Sequence, residues 1–427
     1  MSLAAILMIV VMLGGIFLGV PIAWALILSS LSAVIVGGIS PAVLCQRLFT
    51  SMDATSMLAV PCFLVAGDIM GKGSISNRLV KFADSLFGTF RGGLAIVAIV
   101  TCGIFASLTG SALATAAAIG TLLIPAMTEK GYKKDYSTAI ISIGGTLGPV
   151  IPPSIVFIFY AQATNLSVTK LFMSGVVPGI ISVVLLSLMG VFLAIRGGMK
   201  AYGSFSFKRV VSSFKDAFLA LLMPFIILGG IYCGIFTATE SAAVAVIYGL
   251  IVSLFVYRDV SVSDLVVMFK NTAKTTANLM ILIAAANVFG FLASYYNIPN
   301  ILTRIVATYA PNAFMFMVLS GIILLICGMF MEATAVTVIL APILHPMALH
   351  YGVDPILFGC FMVFVLCIGI ATPPFAPSMF VACGISKEPV AAVSKAIMPF
   401  VFVQIFVAVI IAAVPKISTW LPSLLGK

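Results

Sequence analysis

The feature that most constrains this chain is the length of its stretches without a basic residue. Neither lysine nor arginine occurs in five long intervals, 92–129, 135–169, 217–257, 275–303 and 305–386. Of the 427 residues, 62% are hydrophobic and 8% are charged, whereas soluble proteins carry about 25% charged residues. Because a membrane helix needs ~20 mostly apolar residues, we predict an all-α protein that spans a lipid bilayer many times.

The basic residues lie in short segments between the apolar runs. Such a distribution is typical of charges that orient a membrane protein, so the net charge of +10 does not indicate nucleic-acid binding. The segments richest in lysine and arginine, which we predict to be cytoplasmic loops, are 71–92, 128–135, 196–216 and 258–275. At the start of the chain, residues 3–36 fit either one broken span or two short spans.

The apolar run 93–127 lies between two of these basic segments. A single span would place them on opposite sides of the membrane, but a re-entrant hairpin of two half-helices keeps both in the cytoplasm. We place its tip at 107–111, so that each arm has ~16 residues and a length of roughly 24 Å. When the spans are followed from these cytoplasmic segments along the chain, the apolar run 313–348 forms a second hairpin that begins and ends outside.

A fixed offset of 221 residues relates two halves of the chain. The residues that it pairs include Pro125 with Pro346, Gly148 with Gly369, and the prolines at 152–153 with those at 373–374. Glycine and proline are common in membrane helices, which explains their number but not this register. Since the charges give the two copies opposite orientations, we predict inverted-topology repeats, each with a re-entrant hairpin and a Gly/Pro-broken helix, at 136–160 and 355–382.

Each predicted repeat has two irregular segments, the hairpin tip and the break in the helix. Backbone carbonyls freed by proline are tolerated in a membrane only where they line a cavity or bind something. Together with Ser and Thr hydroxyls they suit an alkali cation, while the N-termini of half-helices suit a carboxylate. We therefore interpret tip and break as an ion and anion site; a set of structural kinks is the alternative.

Few acidic residues lie within the apolar runs. Glu332 occupies the second tip, and the offset pairs it with Ser111 at the first. A carboxylate inside a membrane is a candidate functional group, although a buried structural acceptor is the alternative interpretation. We interpret Asp68, near the end of a span, as interfacial, and Glu240, at an outer turn, as a helix cap.

No sequence motif indicates an enzyme. The chain contains no phosphate-binding loop and no Gly-x-Ser-x-Gly element, and His345 and His350 do not form a metal-binding His-Glu-x-x-His motif. We therefore predict a transporter that is not driven by ATP on this chain. A channel and an intramembrane enzyme are the alternative classes, and the enzyme would need a catalytic pair that the sequence does not supply.

Several motifs are specific enough to resemble a known family. The letters LAVP at 58–61 and AGDIM at 66–70 resemble blocks of the large membrane subunit of tripartite ATP-independent periplasmic (TRAP) transporters, the DctM/SiaM type. Further blocks that look like that family lie at 107–116, 144–154, 236–242, 328–346 and 372–377. The resemblance covers essentially the whole chain. Among subfamilies it is greatest to sialic acid permeases, with C4-dicarboxylate permeases next.

The resemblance implies an elevator-type fold of the ion-transporter superfamily, in which a mobile part carries both hairpins and broken helices past a fixed scaffold. It assigns 1–92 to scaffold helices and an arm, 93–195 to a first transport half, 196–312 to a cytoplasmic loop, scaffold helices and a second arm, and 313–427 to a second transport half. It also implies Na⁺ coupling, an organic acid substrate, a small four-helix membrane subunit, a periplasmic substrate-binding protein and a place in the bacterial inner membrane. A single-component Na⁺-coupled anion transporter of related fold is the alternative.

The resemblance also implies site residues, matched position by position. One Na⁺ site would comprise Ser107, Thr109, Gly145, Gly148 and Val150, and a second would comprise Gly328, Gly369 and Thr372. The substrate contacts would be Thr109, Ser111, Ser154 and Glu332. Because the family usually has aspartate where Glu332 stands, this carboxylate reaches one methylene further than the family pattern.

Overall fold

The chain forms α-helices throughout the residues that the structure, a computed structural model, describes, namely 2–72, 74–201 and 205–424. The first ten helices are α1 Leu3–Phe17, α2 Ile22–Val36, α3 Pro41–Met52, α4 Ala59–Lys72, α5 Ile75–Phe87, α6 Gly93–Thr109, α7 Ala112–Glu129, α8 Lys134–Gly145, α9 Ile155–Thr164 and α10 Val168–Arg196. The other ten are α11 Phe207–Tyr232, α12 Ala238–Ile251, α13 Val262–Tyr295, α14 Ile298–Ala307, α15 Ala313–Phe330, α16 Ala333–His350, α17 Pro355–Gly369, α18 Pro377–Ser386, α19 Val390–Ala413 and α20 Lys416–Leu424.

Helix length separates full spans from half-spans. Within the described part of the chain, nine helical segments are long and apolar enough to cross a membrane, and seven further apolar helices have 10–17 residues. Two of the nine are α4, which continues a 3₁₀ turn at Thr55–Leu58, and α12, which continues into a π-helical turn at Val252–Val256. The predicted all-α polytopic fold is therefore confirmed. Residues 3–36 form two short helices, α1 and α2, because Gly19 turns the backbone at a φ of +79° and Pro21 precedes the second helix.

The helix boundaries follow the predicted repeat. The offset of 221 residues carries α7, Ala112–Glu129, onto α16, Ala333–His350, at both ends. It also superposes α6 on α15, α8 on α17, α9 on α18 and α10 on α19, with small differences at the ends. We call α6 with α7 hairpin 1, α15 with α16 hairpin 2, α8 with α9 broken helix 1, and α17 with α18 broken helix 2.

The two repeats exchange their half-helices. The second half of broken helix 1, α9, packs on α16 of hairpin 2, and the second half of broken helix 2, α18, packs on α7 of hairpin 1. At the centre of this exchange the Ser378 hydroxyl donates a hydrogen bond of 2.8 Å to the carbonyl of Ser142. Each hairpin is therefore covered partly by the opposite repeat.

Basic segments predicted to share the cytoplasmic side lie together. Lys72 pairs with Asp264 at 2.5 Å, which joins segment 71–92 to segment 258–275. Arg78 pairs with Asp216 at 2.8 Å, which joins the same segment to 196–216. The end of α4 and the start of α13 therefore lie on one face of the protein, as the charge distribution predicts.

Parts of the segments predicted to be loops are helical. The region 71–92 contains α5, and the loop prediction for 258–275 is wrong beyond Ser261, because α13 begins at Val262. Ser261 and Asp264 form a capping box at that helix start, which satisfies free amides outside the apolar region. The short amphipathic helices α3, α5 and α14 have too few consecutive apolar residues to be recognised as spans.

Candidate functional site

The tip of hairpin 1 lies against the break in broken helix 1. The chain turns at Gly110, with φ of +61°, and Ser111 then caps α7 by accepting a hydrogen bond of 3.4 Å from the amide of Ala114. A Cβ at Gly110 would lie 2.4 Å from the Pro153 carbonyl oxygen, and one at Gly148 would lie 2.6 Å from the Ser111 carbonyl. Only glycine allows the two backbones to approach this closely.

The tip of hairpin 2 has the same neighbours but different chemistry. A Cβ at Gly369 would lie 2.7 Å from the Cα of Gly328, and the amide of Ala376 donates to the Met329 carbonyl at 3.3 Å, so this tip also meets its break. The residue before α16 is Glu332, whose side chain makes no capping hydrogen bond. No backbone amide at the start of α16 therefore occupies this carboxylate.

The first predicted Na⁺ set lies in one buried region. Its members, all buried, are Ser107, Thr109, Gly145, Gly148 and Val150. The Ser107 hydroxyl donates to a carbonyl in its own helix at 2.6 Å, and the Thr109 hydroxyl lies 3.1 Å from that of Thr115. Hydroxyl and carbonyl oxygens are hard ligands, which suit an alkali cation better than a transition metal. The Val150 carbonyl, however, faces Gly175 of α10.

The second predicted Na⁺ set follows the same plan in the other repeat. Its members are Gly328, Gly369 and Thr372. The two glycines hold tip and break in backbone contact, and the Thr372 hydroxyl donates to the carbonyl of Ile368 at 2.7 Å, buried in the break. In both repeats, then, the residues implied by the resemblance lie where a tip meets a break, except Val150, whose carbonyl faces α10.

A cavity of about 360 Å³ lies between the two tips. Both hairpin tips, both breaks and the long helix α13 contribute to its wall. The residues lining it are Leu64, Gly110, Ser111, Ala112, Leu113, Pro149, Ile155, Val156, Thr275, Asn278, Leu279, Glu332, Ala333, Thr334, Ile370 and Pro377. We call this the central cavity.

Four helix N-termini open onto the central cavity. They belong to α7, α9, α16 and α18, and the first residues of each helix line the wall. A helix N-terminus carries the equivalent of roughly +0.5 charge and free amide donors. At α18 only the dipole applies, because the helix begins with Pro377 and the Ser378 amide donates to the Ile370 carbonyl. Among the lining residues there is no lysine or arginine, and Glu332 is the one ionisable group. The cavity therefore offers an anion oriented backbone dipoles and amides, together with one carboxylate.

The four predicted substrate residues divide into two pairs. Ser111 and Glu332 line the central cavity. Thr109 and Ser154 lie behind its wall, and Ser154 is fully buried and caps α9 by accepting the amide of Phe157 at 3.3 Å. Thr109 and Ser154 are therefore placed to hold the tip and the half-helix, while their neighbours face the cavity.

Sequence reasoning missed the part of the wall supplied by α13. Thr275 and Asn278 line the central cavity from this helix, although the sequence interpretation treated the segment as a plain apolar span and its preceding loop. The available signal was a pair of polar side chains three residues apart, which share one face of a helix.

Two other acidic residues have structural roles. Glu240 and Thr237 form a capping box at the start of α12, in which the Thr237 amide donates to the Glu240 carboxylate at 2.7 Å, so the interpretation of Glu240 as a cap is confirmed. Asp68 accepts a hydrogen bond of 2.9 Å from the Thr272 hydroxyl, which ties α4 to α13.

Opposed repeats whose tips and breaks surround one cavity define the class of this protein: it is a polytopic membrane transporter with the fold of elevator-type proteins. The chain matches, over residues 9–417, the family described as "Tripartite ATP-independent periplasmic transporter, DctM component". It belongs to that family, and the resemblance found in the sequence motifs is confirmed.

Relatives with assigned names agree on the family and differ in substrate. An isethionate TRAP transporter permease protein, DctMQ, of Oleidesulfovibrio alaskensis is 39% identical over 93% of this chain, which spans 63% of that protein's length. The C4-dicarboxylate TRAP transporter large permease DctM of Pseudomonas aeruginosa is 39% identical over 89% of both chains. The sialic acid permease SiaM of Vibrio cholerae is 32% identical over 96% of this chain and 97% of its own.

A solved structure supports the fold independently of close sequence similarity. The YdaH transporter of Alcanivorax borkumensis superposes with a TM-score of 0.62 over 87% of this chain and 86% of its own, at 15% sequence identity. At that identity the comparison bears on the fold alone.

Proposed function

We propose that this chain is the permease of a Na⁺-coupled symporter that imports an organic acid across the bacterial inner membrane. A periplasmic substrate-binding protein delivers the acid, and a small four-helix membrane subunit completes the membrane part. The observation that carries the proposal is the convergence of four helix N-termini on the central cavity, because these supply positive potential without a basic side chain.

Sodium ions have a defined task in this arrangement. The central cavity already contains the Glu332 carboxylate, and an organic anion adds a second negative charge in a low-dielectric region. Cations bound where each tip meets its break lower that electrostatic cost. The candidate ligands are the oxygens of the two buried sets, one around Thr109 and the other around Thr372.

The packing supports movement of the repeats as one body. Hairpins and broken helices interlock through the exchange of α9 and α18, whereas the rest of the cavity wall comes from α13 and α4. A substrate in the central cavity thus lies between the interlocked body and these helices. Sliding one past the other would carry the substrate across the membrane, which is the elevator mechanism.

The wall chemistry favours a hydroxylated monocarboxylic acid. The helix N-termini can hold one carboxylate, while Glu332 accepts hydrogen bonds from hydroxyl groups and repels a second carboxylate. This favours sialic acid, with a C4-dicarboxylate as the second candidate. The two relatives at 39% identity are named for C4-dicarboxylate and isethionate, so the substrate test must include all three acids.

Uptake into proteoliposomes tests the proposal. The chain is reconstituted with its small subunit and loaded binding protein, and labelled acids are presented with an inward Na⁺ gradient or an equal K⁺ gradient. We expect uptake only with Na⁺, and with Thr372→Ala we expect a several-fold higher Na⁺ concentration at half-maximal uptake. The matched control is Thr121→Ala, which removes an exposed hydroxyl that also bonds a carbonyl of its own helix.

Two outcomes would contradict the proposal. Equal uptake with K⁺ would reject the coupling to Na⁺, and a unitary ion current through the reconstituted protein would indicate a channel. Uptake by this chain without the other two components would instead favour the single-component transporter.

A further inference from the structure

A second cavity, which we call the outer cavity, lies at the far end of α13 from the cytoplasmic ion pairs. Its volume is about 310 Å³, and its polar wall residues include Arg47, Asn165, Asn287, Ser294 and His345. The ends of α9, α13 and α16, which supply four of these residues, reach the outer side in the topology derived from the charges, and α3, which supplies Arg47, packs on α13. The outer cavity therefore opens on the face from which substrate arrives.

One face of α13 runs past both cavities. The residues on it, which recur every three or four positions, are Thr275, Leu279, Ile283, Ala286, Gly290 and Ser294. Thr275 and Leu279 line the central cavity, and Gly290 and Ser294 line the outer one. Residues at this spacing share a helix face, so α13 presents one continuous track about 29 Å long that runs past both cavities.

The track is closed between the cavities. The space there is about 10 Å³, barely enough for one water molecule, and Ile283 and Ala286 of the track line it together with Phe159 of α9 and Pro342 of α16. A Cβ at Gly290 would lie 2.8 Å from the Pro342 Cβ. The interlocked repeats thus press directly against the track, so a substrate cannot pass alone from one cavity to the other.

The two cavities differ in charge. The central cavity is lined by Glu332 and by no basic residue, whereas the outer cavity has Arg47. The Arg47 guanidinium lies 4.2 Å from the ring centroid of Phe291, which orients it. Within the described chain no carboxylate lies in ion-pair range of this exposed group, so its hydrogen-bond donors remain available to a carboxylate ligand.

We propose that the substrate site between Ser111 and Glu332 moves to the height of the outer cavity when the transporter faces outside. At that height, Arg47 binds the carboxylate of the arriving acid. The inference rests on the proposed function and adds a fixed anion ligand that the central cavity lacks. The site picks up the acid beside Arg47, slides along the α13 track, and leaves the arginine behind. Departure from Arg47 then favours release of the anion at the inner end.

Cross-linking tests the track. In a variant whose eight native cysteines are replaced, Ser111→Cys is combined with Leu279→Cys or with Asn287→Cys, and a short bifunctional thiol reagent is added. We expect the Leu279 pair to cross-link readily and the Asn287 pair to cross-link when Na⁺ and substrate allow cycling. Na⁺-driven uptake by the cysteine-free parent is measured alongside.

The result separates the two claims. If Na⁺-driven uptake is intact but only the Leu279 pair cross-links, the site does not move along the α13 track. The proposed function would still stand. Absence of Na⁺-driven uptake in the wild-type protein would reject the proposed function itself.

Arginine variants test the anion ligand. We expect Arg47→Gln to raise KM for the loaded binding protein about tenfold or more, as loss of a charged hydrogen bond does, with kcat within about twofold. Arg47→Lys should recover part of the loss, because it keeps the charge without the fork geometry. Arg304→Gln, which removes another exposed arginine, in the last turn of α14, is the matched control.

A docking measurement completes the test. Binding of the substrate-free binding protein to the reconstituted permease should be unchanged by Arg47→Gln. Equal weakening of docking would show that Arg47 contacts the partner protein and not the acid, and an unchanged KM would likewise overturn the proposal.

Discussion

The two hairpins share a backbone plan and differ in what surrounds them. In α6, 14 of 17 residues are buried, whereas in the matching α15 only 5 of 18 are, so the first arm of hairpin 1 is interior and that of hairpin 2 is largely at the surface. The second arms differ the other way, with 8 of 18 residues buried in α7 and 12 of 18 in α16. The tips differ as well. Gly110 and the capped Ser111 make a neutral first tip, and Glu332 makes an acidic second tip that is open to the central cavity.

This comparison indicates that the two hairpins have different roles although their backbones are related by the repeat. The glycine contacts that bring a tip to its break occur in both repeats, so they serve the shared architecture. The carboxylate occurs in one repeat, so it is not needed for that architecture, and we propose that it serves the ligand. Substitutions at equivalent positions of the two repeats should have equal effects where the positions serve the architecture, and unequal effects where one of them serves the ligand.

The largest expected effect is at the glycines common to both repeats. Gly148→Ala and Gly369→Ala should each abolish uptake and lower stability by about 1–3 kcal/mol or more, because the added Cβ would meet backbone atoms at 2.6–2.7 Å. Thermal unfolding in detergent and uptake are the measurements. Gly384→Ala in α18, where no atom lies within 4 Å of the new Cβ, should be neutral or slightly stabilising. If the protein tolerates only one of Gly148→Ala and Gly369→Ala, the two glycines do not have equivalent roles in the architecture.

A smaller effect is expected where the tips differ. Glu332→Gln should reduce uptake at least tenfold while the protein inserts and folds normally, since charged hydrogen bonds contribute about 1.5–3 kcal/mol. Ser111→Ala should reduce uptake only several-fold, because it removes a cap worth about 1 kcal/mol. Glu240→Gln is the control, since glutamine also serves in a capping box. Normal uptake by Glu332→Gln would show that the charge of the second tip is unnecessary.

The smallest expected effect is at the contact between the repeats. Ser378→Ala removes the hydrogen bond to the Ser142 carbonyl and should lower the free energy of unfolding by about 1 kcal/mol. Ser423→Ala, which removes an exposed local hydrogen bond, should leave unfolding unchanged. If the two variants unfold alike, the hydrogen bond adds nothing to the packing that joins the repeats.

Much of this architecture is predictable from the sequence because it is set locally. Proline and glycine positions mark the breaks, the charges orient the runs, and one offset relates the repeats, so both hairpins, both breaks, Ser111 and Glu332 are identified without coordinates. The start of α13 was missed because Lys270, Asn271 and Lys274 interrupt its apolar run, and a segment that carries such charges resembles a loop.

The rest of the site depends on which surfaces meet. Thr275 and Asn278 become cavity residues only because α13 faces both tips, a contact between segments far apart in the chain. The burial of Ser154 follows from its use as a cap for α9, since a serine at a break can face either the helix end or a ligand. Side-chain direction of this kind is decided by tertiary packing.

The exchange of half-helices between the repeats has a consequence for how the protein is made. Hairpin 1 is synthesised early, yet α18, which covers α7, follows on the order of tens of seconds later at ordinary translation rates. Until then the face of α7 that α18 covers has no partner. Biogenesis must therefore hold the first repeat in an unfinished state within or beside the insertion machinery, and neither repeat is a folding unit by itself.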